Sequence, residues 1–135
     1  MTIGFDERLR SAGERNRSLL CVGLDPDPEQ MPVGIDVFEF NRRIIDATKA
    51  LVCAYKPNVA FYEALGEEGH SALKRTLEYI RATSDIPTIA DSKRGDVQST
   101  SKFHAKAMFE VWGFDAVTIN PYGGRDAVQP FLDYT

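Results

Sequence analysis

No stretch of this chain approaches the roughly 18 consecutive apolar residues that a membrane span requires. The opening MTIGFDERLR also lacks the apolar core of a secretory signal. The expected location is therefore the cytoplasm, with no membrane partner. Cysteine is scarce: Cys21 and Cys53 lie inside the apolar segments LLCVGL and LVCAYK. Both read as small buried hydrophobes in a reducing compartment, with a disulfide or catalytic thiol as the lesser alternative. Lysine and arginine form no block and the formal net charge is −4, so the basic stripe of a nucleic-acid binder is missing. The histidines, His70 and His104, fall on separate expected helices without metal-ligand spacing and read as surface or packing residues. An anionic small ligand has to be met by individual lysines.

The 135 residues, 43% hydrophobic and 27% charged, suit one soluble globular domain. Apolar, β-rich runs recur at 18–25 (SLLCVGLD), 53–59 (CAYKPNV), 87–93 (PTIADSK) and 116–121 (AVTINP), with helix-like stretches between them. This alternation predicts βα units on a parallel sheet. A helix is expected from Asp36, whose acid caps it while Glu39 completes a capping box, with Val37, Phe40, Ile44, Thr48 and Leu51 as its inner stripe. A second covers 69–83 with Leu73, Leu77 and Ile80 inward. A third follows Asp96 with Phe103, Ala107 and Val111 in register until Gly113 stops it. A fourth starts near Arg125 and is expected to be cut off by the chain end. GFDERLRSAGERN reads as a short amphipathic helix that plugs a barrel bottom or covers a sheet edge.

Two architectures use such repeats, an open doubly wound sheet and a (β/α)8 barrel. The first strand ends in GLDPDP, without the Gly-rich turn of a dinucleotide-binding fold. Polar residues stand instead at the end of every expected strand: Asp25, Lys56 with Asn58, Asp91 with Lys93, and Asn120. In a barrel that rim is the active-site face. The expected fold is therefore α/β of the (β/α)8 TIM-barrel type, about the first four βα units, a half barrel over residues 1–135.

The densest charge lies in ADSKRGDV, residues 90–97. Residues two apart on a strand share a face, about 7 Å apart, so Asp91 and Lys93 are expected to project into one site. Read structurally, they are a solvated ion pair, and Asp96 is an N-cap. The wider set of rim charges favours a functional site.

DSKRGD resembles the Asp-x-Lys-x-x-Asp signature of the orotidine 5'-monophosphate decarboxylase family. LCVGLDPDP, YKPNVAFYEALG and TINPYGG are similar to its bacterial branch, in order and spacing. The resemblance runs along nearly the whole chain but over only about the first half of the family's barrel. It implies a decarboxylase of pyrimidine biosynthesis that turns orotidine 5'-phosphate into uridine monophosphate and carbon dioxide without metal or organic cofactor. By the same resemblance Lys93 protonates the C6 carbanion, Asp91 sits near the substrate carboxylate, and Lys56 separates the acids and contacts the ribose. Asp25 binds a ribose hydroxyl, and Asp96 and Thr100 reach into the neighbouring site of a homodimer. Groups that grip the phosphate and pyrimidine are expected beyond Thr135, so the 135-residue chain is expected to be a truncated, weakly active or inactive enzyme. Two other readings stand beside this one: a magnesium-dependent keto-sugar-phosphate decarboxylase or aldolase of the same superfamily, with Asp91 as a possible metal ligand, and a non-catalytic half-barrel interaction module.

Overall fold

Each apolar run becomes a short parallel strand, and the helical segments between them cover one side of the sheet. The computed structural model describes residues 4–135. Helix α1 (Phe5–Asn16) precedes β1 (Cys21–Leu24), and α2 (Val37–Thr48) leads to β2 (Ala54–Pro57). Two helices, α3 (Val59–Ala64) and α4 (Gly66–Thr83), return the chain to β3 (Ile89–Arg94). Helix α5 (Gln98–Lys106) continues into a π-helical turn, Ala107–Val111, before β4 (Ala116–Ile119). A 3-10 turn, Pro121–Gly123, then precedes α6 (Arg125–Leu132).

Strand β1 pairs in parallel with β2, Gly23 opposite Lys56, and β3 with β4, Ile89 opposite Ala116. Isolated bridges from Tyr55 to Thr88 and from Asn58 to Asp91 join β2 to β3. The spatial order is thus β1-β2-β3-β4. A doubly wound sheet places its first strand in the interior, whereas a barrel wall adds parallel strands in chain order. The fold is α/β with four units of a partial barrel.

Two apolar clusters hold the helices to the outer face. Leu24 and Tyr55 pack with Ala12, Ile45, Val52, Ile80 and Ile86. Ala90 packs with Val37, Val59, Tyr62, Leu73, Leu77, Met108 and Phe114. Each fully buried large side chain contributes about 1.5–3 kcal/mol, so these clusters dominate the favourable side of folding. A polar network is buried with them. Asn41 Nδ2 donates to Tyr62 Oη and Thr76 Oγ1, both at 3.0 Å, and the Tyr62 hydroxyl donates to the Leu24 carbonyl at 2.8 Å. Burial holds the Tyr62 phenol well above its ordinary pKa, which keeps it a donor.

Helix α1 lies across the N-terminal ends of the strands, as the plug reading expects. Asn16 Nδ2 donates to the Lys49 and Val52 carbonyls at 3.0 and 2.8 Å, and Arg8 pairs with Asp115 just before β4.

Several expectations need correction. Asp36 does cap α2, accepting from the Glu39 amide at 2.7 Å, but the Glu39 carboxylate turns to Arg42 and Arg43 and leaves the capping box half formed. The buried stripe of α2 is Val37, Asn41 and Ile45, while Phe40, Ile44 and Thr48 are half-buried and Leu51 is exposed beyond the helix. Asn41 takes an inner position because its Nδ2 donates to Tyr62 and Thr76 there, and an apolar count passes over it. On α5 the inner residues are Ser101 and Ala105, followed by Met108, whereas Phe103 is 76% and Val111 72% exposed. Gly113, at φ +71°, does stop that segment. Helix α6 ends at Leu132 and does not run to the chain end. Cys53 is buried, but Cys21 is exposed because its side of β1 is the uncovered inner face of the sheet. His70 stacks on Trp112 with ring centroids 5.9 Å apart, a packing role.

Candidate active site

Strand tips create the site because regular pairing ends there and side chains turn toward the open mouth. Parallel pairing sets Lys56 beside β1, and the Asn58 to Asp91 bridge brings the ends of β2 and β3 together. Lys56 Nζ lies 2.8 Å from Asp91 Oδ2, and Lys93 Nζ lies 2.5 Å from Asp91 Oδ1. One carboxylate is thus gripped by two ammoniums, one from its own strand and one from a neighbour. The Asp91 side chain is 10% exposed, that of Lys93 68%. The acid is fixed beneath a cation that faces solvent.

Electrostatics follow from that geometry. Hydrogen bonds from Lys56 and then Lys93 pull the Asp91 carboxyl down to about 2, against the opposing effect of desolvation. Asp91 in turn raises the Lys56 ammonium, and the nearby Asp25 charge pushes the same way. Asp91 is a permanent anion at neutral pH, and Lys56 a permanent cation.

Asp25 Oδ1 accepts from the Asn58 amide at 3.1 Å, tying the ends of β1 and β2. Asn58 caps α3 by accepting from the Ala60 amide at 3.2 Å, and Asn120 repeats the device after β4, accepting from Tyr122 at 3.0 Å. Both asparagines leave their strands with nearly the same backbone angles.

Lys93 reaches the site by a route that strand geometry does not predict. Ala90 pairs with Val117 and Arg94 with Ile119, so four steps along β3 match two along β4. The extra residues form a bulge, and Lys93 sits at φ +47°. A left-handed lysine costs about 1–2 kcal/mol and persists only where its surroundings impose it. The Thr118 hydroxyl accepts from the Ser92 and Lys93 amides, both at 3.1 Å, and donates to Asp91 Oδ1 at 3.1 Å. Gly95 follows directly, and a Cβ there would lie 2.5 Å from the Asn120 carbonyl oxygen, which explains a glycine at that place in the motif.

Of the expected site residues, Lys93, Asp91 and Lys56 meet directly, and Asp25 adjoins them through Asn58. Asp96 and Thr100 do not join them: among the described residues neither shares a hydrogen bond or ion pair with those three. Asp96 is also not the cap of α5. That position belongs to Val97, while Asp96 Oδ1 accepts from the adjacent Val97 amide and its backbone exchanges hydrogen bonds with Ser101. Thr118 was missed. Its signal was faint: a hydroxyl in the apolar run AVTI, two residues before Asn120 and so on the same face.

Chemically, an exposed ammonium above a fixed carboxylate can attract developing negative charge and deliver a proton. Comparison with known proteins gives this arrangement a family. Residues 18–135 match the model of the "Orotidine 5'-phosphate decarboxylase / HUMPS family". The chain belongs to this family. An orotidine 5'-phosphate decarboxylase of Dehalococcoides mccartyi is 54% identical over 130 residues, covering 96% of this chain and 47% of the relative. That of Christiangramia forsetii is 52% identical over 127 residues, covering 90% and 47%. The solved OMP decarboxylase of Leishmania donovani superimposes with a TM-score of 0.85 at 35% identity, covering 98% of this chain and 50% of its own. The chain spans about half the length of the family members it matches. Its four βα units coincide with the decarboxylase barrel over that half.

No helix among the described residues is long and apolar enough to cross a membrane.

Proposed function

We propose that the protein acts as an orotidine 5'-phosphate decarboxylase, and that residues 1–135 form the first half of a single (β/α)8 barrel. The arrangement that carries this reading is the Lys93 ammonium seated on Asp91 at the strand tips. In the reaction the bond from C6 of the pyrimidine to the carboxylate breaks, carbon dioxide leaves, and the electron pair stays on C6 as an in-plane carbanion that the π system cannot spread. The Lys93 ammonium attracts that charge and then gives C6 its proton, and the resulting amine is reprotonated from solvent. Asp91 holds Lys93 in place and faces the departing carboxylate. Lys56 separates Asp91 from Asp25 and contacts the ribose, and Asp25 binds a ribose hydroxyl. Asp96 and Thr100 contribute to the site of a second copy in a homodimer. The reading needs neither metal nor organic cofactor, and a cytoplasmic location goes with it.

Charge alone is insufficient. Two unit charges at 4 Å are worth about 4 kcal/mol at an effective dielectric of 20, whereas enzymes lower barriers by roughly 8–23 kcal/mol. The remainder comes from binding the 5'-phosphate and the pyrimidine edge, through elements matching the other half of the relatives' length. The 135-residue chain alone is therefore expected to turn over weakly or not at all.

The test is release of carbon dioxide from orotidine 5'-phosphate by the full-length protein and by its Lys93→Ala variant. Turnover that falls by at least about 1,000-fold in the variant is expected, the scale of a general acid combined with electrostatic stabilisation. Equal turnover in the two would overturn the reading. A second reading is magnesium-dependent decarboxylase or aldolase chemistry on a keto-sugar phosphate, with Asp91 as the metal ligand. Turnover of such a substrate, abolished by a chelator, would favour it. With both Asp91 oxygens already bonded to ammoniums, a divalent cation would have to displace them.

A further inference from the structure

We infer that Thr118 is a positioning residue for the proposed decarboxylation: its hydroxyl fixes the β3 bulge that presents the Lys93 ammonium to the substrate. This rests on the decarboxylase reading above. The bulge removes Ser92 and Lys93 from the regular ladder, because pairing with β4 passes from Ala90 to Arg94. Two successive backbone N–H groups would be left without strand partners, and both converge on Thr118 Oγ1 at 3.1 Å. A hydroxyl oxygen has two lone pairs and one proton. With both lone pairs engaged, its proton goes to Asp91 Oδ1 at 3.1 Å, in preference to the Ala90 carbonyl at 3.5 Å. That carboxylate oxygen is the one Lys93 Nζ holds at 2.5 Å.

A single side-chain atom therefore constrains Lys93 from both ends, through its own amide and through the carboxylate on which its ammonium rests. Ser92 Oγ donates back to the Thr118 carbonyl at 3.3 Å, locking the two strands at the same level. The left-handed Lys93 backbone is thereby explained, since two converging amides on one acceptor form a nest-like turn. Valine at this position would keep the shape of the side chain and lose all three bonds.

The experiment compares Thr118→Val and Thr118→Ser in the full-length protein. It measures amide hydrogen exchange at Ser92 and Lys93 by NMR, and kcat and KM with orotidine 5'-phosphate. For valine, exchange at both amides rises at least about tenfold and kcat falls on the order of 10- to 100-fold while KM stays within about threefold, the cost expected of a misplaced reacting group. Serine keeps the protection and at least about a third of kcat, because it keeps the hydroxyl. A role confined to stability would lower the folded fraction and leave kcat per folded molecule and the split from KM unmoved.

Parental exchange or parental kcat in the valine variant overturns the inference, as does a serine variant as impaired as the valine one. Should valine prevent folding, serine decides alone: retained kcat supports the hydroxyl, and lost kcat overturns it. If the unsubstituted protein does not decarboxylate the nucleotide, the functional reading fails by itself. Amide exchange then still decides whether Thr118 holds the bulge.

Discussion

Lys56 Nζ reaches 2.8 Å from Asp91 Oδ2, linking the tips of two adjacent strands through opposite charges. That link makes stability depend on pH in a defined direction. The Asp91 carboxyl is held at about 2, below its ordinary value near 3.9, so its charged form stabilises the fold above about pH 4 and this contribution fades as pH falls toward 2. The shift corresponds to about 2–3 kcal/mol. Lys56 behaves oppositely: its raised pKa gives stabilisation that is full below about 10.4 and is lost as pH climbs through the higher folded value. Asp91→Asn should thus lower urea-unfolding stability at pH 7 by about 2–3 kcal/mol and lose most of that difference by pH 2. A gap of the same size at both pH values would show that the ion pairs are not what sets it.

Asp96 and Thr100 stand apart from the Lys93 cluster of their own chain, which fits the proposal that they serve a second copy. The proposal has an arithmetical consequence. In a mixed dimer of Asp96→Ala and Lys93→Ala chains, one site combines an intact Lys93 with an intact Asp96 and the other lacks both. Equal mixing after dissociation should restore about a quarter of the parental activity from two nearly inactive parents, by the statistics of a two-fold dimer. No recovery, in a sample shown by mass measurement to contain mixed dimers, would place Asp96 within its own chain's site or outside any site.

The sequence made the strand tips legible, because an apolar run ending in Asp or Lys is unusual enough to mark a rim. Asp36 made the start of α2 legible for the same reason: a local hydrogen bond leaves a local signal. Helix faces were harder to read. Asn41 turns inward because its Nδ2 donates to Tyr62 and Thr76, partners distant in sequence, and Ser101 because its hydroxyl bonds the Asp96 backbone one turn earlier, and residue type records none of this. The bulge was hidden in the same way. Lysine has no preference for a left-handed backbone, and threonine is an ordinary strand former, so neither Lys93 nor Thr118 announces a departure from regular pairing. Asp91 and Lys93 do share a site, but the bulge brings them together where alternation along a flat strand was expected to.

Tyr62 offers a test of the buried polar network that ties three helices to β1. Its hydroxyl accepts from Asn41 and donates to the Leu24 carbonyl, immediately before Asp25. Tyr62→Phe removes the oxygen from a fully buried site and leaves a donor and an acceptor unpaired there. The expected loss is about 1–3 kcal/mol in chemical denaturation, with the denaturant slope unchanged. A loss below about 0.5 kcal/mol, within the range of ordinary surface substitutions, would mean that water or a repacked Asn41 takes over the bonds.

Gly95 closes the turn that follows Lys93 and Arg94, pressed against the end of β4. The Asn120 amide donates to the Arg94 carbonyl at 2.7 Å, while the Asn120 carbonyl oxygen occupies the space where a Gly95 side chain would begin. In Gly95→Ala the new methyl would sit 2.5 Å from that oxygen and 3.2 Å from the Asn120 Cβ. Because the obstruction is backbone, no rotamer change relieves it and the β3 and β4 tips must part. Overpacking of this kind costs about 1–3 kcal/mol, and displacement of Lys93 by even a fraction of an ångström weakens its reach to the reacting carbon. Thermal unfolding should shift downward, and kcat of the full-length protein should fall at least about tenfold. A lowered melting temperature with unchanged kcat would mean that the Lys93 bulge is held independently of the turn after it, leaving the Thr118 hydroxyl to hold it without help from Gly95.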